Sequence, residues 1–240
     1  MYEPRFYREK MLAKGLVSFQ VLVSETDLYL SANGNFYHQA LEAVLKYRKD
    51  LEEFIAKHPI FKTTLKPYDV PDSAPEIVKS MAEAARKVDV GPMAAVAGAI
   101  AEFVGRDLLK FSREVIVENG GDIFIKTRKP RKIAIYAGDS PLSNKIAIEI
   151  KPDQTPLGVC TSAGTLGHSL SFGEADAVVV LSQDTCLADA TATAIGNQVH
   201  RPEDIDRALT YAQTIVGLMG VVIIKGNKMG VWGDLEISPL

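Results

Sequence analysis

The feature that most constrains the fold is the shortness of the connections between strand-like runs from residue 114 onward. Glu114–Glu118 and Asp122–Lys126 are apolar-rich β segments with only Asn119-Gly120-Gly121 between them. Lys132–Ala137 and Lys145–Lys151 flank Gly138-Asp139-Ser140-Pro141, and Leu157–Ser162 and Ala175–Ser182 follow. A parallel crossover needs a dozen or more residues, usually helical, and most of these gaps are shorter. The pattern predicts an α+β fold with largely antiparallel or mixed sheets and flanking helices.

The rest of the chain supplies the helices. Residues 16–24 and 27–30 read as a hairpin with Glu25-Thr26 at its turn. Ala40, Leu41, Val44, Leu45, Tyr47, Leu51 and Phe54 recur at helical spacing over about 36–57, and His58-Pro59 ends the run. Residues 60–73 read as loop plus a short strand. Ser73 is placed to cap a helix over about 75–87. An Ala- and Gly-rich helix follows over about 92–110, and two more over about 185–199 and 202–215. The tail from Gly220 reads as short strands turning at Gly226-Asn227. The 240 residues are expected to form one domain, 1–240, with two interleaved subdomains as the alternative.

Composition narrows the partners. A net charge of −3 argues against a nucleic-acid backbone as the main partner. The one basic cluster, Lys126 to Lys132, reads as a solvated turn or a phosphate-holding loop. The longest apolar stretch, Met93–Ala101, is far short of the roughly 20 residues that span a membrane. The N-terminus lacks the apolar core of a signal peptide, and Cys160 and Cys186 have no metal-type spacing. A cytoplasmic protein with free thiols is expected, taking a small-molecule ligand, with a homo-oligomer possible.

Four segments carry residues suited to chemistry. In Ala188-Asp189-Ala-Thr-Ala-Thr193-Ala194, Asp189 and Thr193 lie four apart and share a helix face. A carboxylate and a hydroxyl suit a hard cation such as Mg²⁺, while an aspartate capping a neighbouring loop fits the same spacing. Glu118-Asn119-Gly120-Gly121-Asp122 is either a close-approach turn for a ligand or a plain hairpin turn. Cys160-Thr161-Ser162-Ala-Gly164 leads to His168, whose near-neutral pKa suits a general base; a structural histidine is the alternative. Gly98 and Gly105 sit on one helix face, for a ligand or for close packing.

Taken in order, these segments resemble the ApbE family, Mg²⁺-dependent transferases that move FMN from FAD onto a protein threonine. Asn119-Gly120-Gly121-Asp122-Ile123 resembles the family's Gly-Gly-Asp/Asn-Ile segment. Thr161-Ser162-x-Gly164 with His168 resembles its Thr-Ser-Gly loop and downstream histidine. Ala188 to Ala194 is similar to its Ala-Asp-Ala-x-Ala-Thr-Ala metal motif. The resemblance covers about 90–200, and points to a shorter, uncharacterised branch of this superfamily. It implies Asn119, Gly120, Gly121, Asp122, Thr161, Ser162 and Gly164 as cofactor-binding residues and His168 as catalytic. It implies Asp189, Thr193 and the Ala101 carbonyl as Mg²⁺ ligands, and FAD or FMN as cofactor. Two departures are visible. Glu102 stands where the family's Gly-x-Ala-Lys-Gly helix carries lysine, and His168-Ser-Leu-Ser-Phe172 lacks the family's Asp and Pro. A metal-dependent transferase-like enzyme is one implied function. A different chemistry on the same scaffold and a non-catalytic binding protein are the others.

Overall fold

The computed structural model describes residues 13–164 and 173–240. Two hairpins open and close the chain: β1 (Val17–Val23) with β2 (Thr26–Ala32), and β9 (Leu218–Lys225) with β10 (Lys228–Gly233). Between them lie β3 (Val115–Asn119), β4 (Asp122–Lys126), β7 (Leu157–Ser162) and β8 (Ala177–Ser182). All eight form one sheet in the order β1-β2-β3-β4-β7-β8-β9-β10. Every pairing is antiparallel. The one break in sequence order is the excursion of β5 (Arg131–Ala134) and β6 (Ile146–Ile150). They join β11 (Glu236–Pro239) in a second sheet, ordered β11-β6-β5. The α+β, antiparallel expectation holds.

Side-chain alternation explains the layers. Ile123, Ile125, Leu157, Val159, Val179 and Leu181 share a core with Ile148 and Ile150 of the small sheet. The intervening residues face the helices: Phe124 packs into one helical core, and Cys160, Val178 and Val180 into another. A strand buried on both faces reads as a continuous apolar run, which is the texture of Ala177–Leu181. The helices are α1 (Tyr37–Lys57), α2 (Ile60–Thr63), α3 (Glu76–Lys87), α4 (Val96–Leu108), α5 (Thr185–Gly196) and α6 (Ile205–Ala212). No single described helix is long and apolar enough to cross a membrane.

Some local expectations fail. Residues 60–63 form a short helix, and no strand forms between it and α3, because Phe61 anchors this segment against Phe54 and Tyr68. Ser73 does not cap α3. Pro75 occupies that position, and no side chain caps the helix. The first hairpin turns one residue earlier than expected, at Ser24-Glu25, with Ser24 at φ 50°.

Candidate functional site: a buried carboxylate pair

The β3–β4 turn is made by Gly120 and Gly121, both at positive φ (68° and 105°), where a side chain would be strained. The turn is tied inward on both sides. Gly121 donates its N–H to Glu118 Oε1 at 2.8 Å, and Asn119 Nδ2 donates to the Ala97 carbonyl at 3.1 Å. Asp122 opens β4, and its Oδ1 accepts the Thr161 N–H at 3.2 Å from neighbouring β7. Gly121 faces Thr161 as well: a Cβ on it would lie 3.8 Å from the Thr161 carbonyl oxygen. The turn and the Thr161-Ser162 strand end are therefore adjacent, although about 40 residues separate them in sequence.

Asp189 reaches the same place from the helix layer. Its Oδ2 accepts the Gly98 N–H at 2.7 Å. That amide belongs to the first turn of α4, whose N–H groups have no partner within the helix. Asp189 thus caps α4 from outside.

The two buried carboxylates lie near enough for the charge of Asp189 to act on Asp122. Asp122 is held well above the usual carboxylate range by burial first, then by the charge of Asp189; the Thr161 amide and the Cys160 thiol offset part of this. Burial pushes Asp189 up to about 7 against the pull of the Gly98 and Ala97 amides. No lysine, arginine or histidine among the described residues forms an ion pair with either. Buried acids without a cation resist double ionisation. Burial likewise keeps the Cys160 and Cys186 thiols protonated. Both cysteines are free and buried.

The other implied residues fall as follows. Thr193, one turn beyond Asp189 on α5, is half-buried. Ser162 Oγ is buried and has no hydrogen-bond partner among the described residues. It alternates with Cys160 on β7, on the helix-facing side where Asp122 also lies. Gly164 bonds Ala175, and a Cβ on it would strike Gly173 at 2.1 Å. Gly173 in turn packs on Gly196 at the end of α5. His168 lies in that segment, outside the described residues.

The backbone that meets Asp189 is Ala97-Gly98. Ala101 lies a turn further into α4, about 6 Å along its axis, fully buried. Glu102 is held at the start of α5. Its Oε2 accepts the Thr185 N–H at 2.7 Å at the start of α5, and its Oε1 pairs with Arg106 at 2.6 Å. Together with Asp184, which accepts the Leu187 N–H, it satisfies the first turn of α5. Glu102, Asp184 and Cys186 lie close enough to hold a metal ion. Their carboxylates are already taken by helix amides, at the end of the helix that favours anions. Spacing alone does not pair Asp122 with Asp189; the resemblance implies both in one site, and α5 packing across β7 brings them near.

Comparison with known proteins gives the context. The structure is similar to the apo flavinyl transferase ApbE of Pseudomonas stutzeri, with a TM-score of 0.58 at 13% identity over 90% of this chain and 93% of that one. It is also similar to the ApbE protein of Thermotoga maritima, with a TM-score of 0.56 at 14% identity over 90% and 96%. At this identity the likeness shows the fold. In sequence the chain is 47% identical over 206 residues to a UPF0280 protein of Methanothrix thermoacetophila, covering 84% of each. It is 40% identical over 222 residues to the UPF0280 protein of Methanocaldococcus jannaschii, covering 90% of each. The family model described as "AbpE bacteria" matches residues 9–216. The chain belongs to that ApbE-like family, in its UPF0280 branch.

Proposed function

We propose that the Asp122–Asp189 pair is a divalent-cation site, with Mg²⁺ the preferred ion, that holds a phosphate-bearing small molecule of the flavin or nucleotide class. The observation that carries the reading is the pair itself: two neighbouring buried carboxylates, with no cationic side chain paired to either among the described residues. Ionising both costs free energy that a bound divalent ion recovers. The donors are all oxygen, as Mg²⁺ requires, and two or three protein ligands suffice because it keeps waters. Asp189, Asp122 and the Thr193 hydroxyl would hold it, and the Ser162 hydroxyl, unpartnered among the described residues, is a further oxygen on the same side of β7.

When bound, the ion would polarise a phosphoryl oxygen of the ligand. The chain's own groups do the rest. The Gly120-Gly121 turn gives the ligand close approach to backbone, and Thr161 and Ser162 orient it. His168 is assigned as general base in a transferase-like reaction.

The flavin reading meets one specific difficulty. If the family's alanine–lysine step falls on Ala97-Gly98, where Asp189 touches α4, the lysine is replaced by glycine. A Cβ there would lie 2.6 Å from the Thr185 carbonyl oxygen and 2.8 Å from Asp189 Cβ. Position 98 has no room for a lysine, so the ion alone would balance a diphosphate. This favours as second reading a binding protein that keeps the pocket without the transfer reaction. Titrating FAD and FMN against protein fluorescence, with and without Mg²⁺, tests the assignment. Mg²⁺-dependent binding that Asp189→Ala abolishes supports it, and binding indifferent to both removes it.

A further inference from the structure

The chain is acidic overall, with a net charge of −3. One groove of about 550 Å³ runs against that trend. It lies at the far end of β4 from Asp122, about 13 Å along the strand. Arg113, Lys126 and Arg128 line it, with Leu109, Pro152 and Pro156 as apolar wall, and no carboxylate is among its lining residues.

The segment carrying these cations is built rather than loose. Thr127, buried, accepts the Lys129 N–H and donates its hydroxyl to the Lys129 carbonyl at 2.8 Å. Glu114, also buried, accepts the Arg128 N–H through Oε1 and pairs with Arg131 through Oε2. Its charge is therefore spent on Arg131. Lys126 Nζ donates to the Thr155 carbonyl at 2.7 Å, which fixes the ammonium and leaves two protons free. The Arg113 and Arg128 guanidiniums are exposed and make no ion pair among the described residues. Three like charges gathered on a fixed frame repel one another unless an anion joins them, and a fixed frame removes much of the ordering cost of binding one.

We propose that this groove is a second ligand site, for a small phosphate-bearing molecule with an apolar portion. Its volume lies in the small-molecule range, and guanidiniums bind phosphate oxygens through paired N–H groups. It is distinct from the carboxylate pair. Phe124 stands between the two on β4, and α4 covers it so closely that a Cβ on Gly105 would lie 2.2 Å from the ring. The inference does not depend on the proposed cation site.

Calorimetric titration of inorganic pyrophosphate, in chelator and at fixed ionic strength, tests it. Wild type and Asp189→Asn should bind alike, and the double variant R113Q/R128Q should bind at least tenfold more weakly with an unchanged melting temperature. R113K/R128K should recover part of the affinity. Equal binding by wild type and R113Q/R128Q would overturn the assignment. So would an Arg113- and Arg128-dependent preference for a single-stranded oligonucleotide over pyrophosphate, since the groove would then serve nucleic acid.

Discussion

At the scale of single residues, Asp189 separates two roles. Its Oδ2 caps α4 through the Gly98 amide, and its charge is raised in energy by burial beside Asp122. Asp189→Ala should lose the cap, costing about 0.5–2 kcal/mol with or without Mg²⁺, and should also lose any Mg²⁺-dependent rise in melting temperature. Asp189→Asn keeps an acceptor for Gly98 and discards the charge. In chelator at pH 8 it should be at least as stable as wild type, and it should not respond to Mg²⁺. Thermal denaturation of the three proteins with and without Mg²⁺ checks both outcomes. The pH dependence has a definite sign. A carboxylate whose folded pKa is raised to about 7 favours the native state when protonated. In metal-free protein that contribution is complete below pH ~4, the ordinary carboxylate value, and fades as pH rises toward 7. The effect is on the order of a few kcal/mol. Denaturant midpoints in chelator should therefore fall over this range, and saturating Mg²⁺ should flatten the fall.

At the scale of elements, the site depends on how tightly α4, α5 and the sheet approach. Gly98 lets α4 touch α5, Gly105 lets α4 lie on Phe124, and Gly158 lets β7 lie under Thr185. Gly98→Ala would drive a Cβ to 2.6 Å from a backbone oxygen that cannot swing away. Overpacking of this kind costs about 1–3 kcal/mol, and here it should also weaken ligand binding by moving Asp189. Equilibrium unfolding together with flavin titration of the variant tests that coupling. Glu102→Gln should retain an acceptor for Thr185 and lose the ion pair with Arg106. Its effect should be confined to stability, with ligand affinity unchanged, because Glu102 is held at the start of α5.

At the scale of the whole molecule, the antiparallel α+β fold was legible because it rests on local signals. Short gaps exclude parallel crossovers, glycine pairs mark turns, and apolar periodicity marks α1. The eight-stranded order was not legible, since the diversion of β5 and β6 into a second sheet is decided by which faces bury against each other. The convergence of Asn119–Asp122 with Thr161 was anticipated through resemblance, and backbone contacts now join them. A helix face repeats every three to four residues, so a motif slid by one turn still presents the same face; spacing alone could not choose between Ala97 and Ala101, and the contact with Asp189 falls at Ala97-Gly98. The central claim, that two neighbouring buried carboxylates make a divalent-cation site, is tested most directly by electron paramagnetic resonance with Mn²⁺ as the probe. The account predicts one Mn²⁺ bound per wild-type chain, displaced by excess Mg²⁺ and absent from the Asp122→Asn/Asp189→Asn double variant. Stoichiometric Mn²⁺ persisting in the double variant, or none bound by a folded wild-type chain, would contradict it.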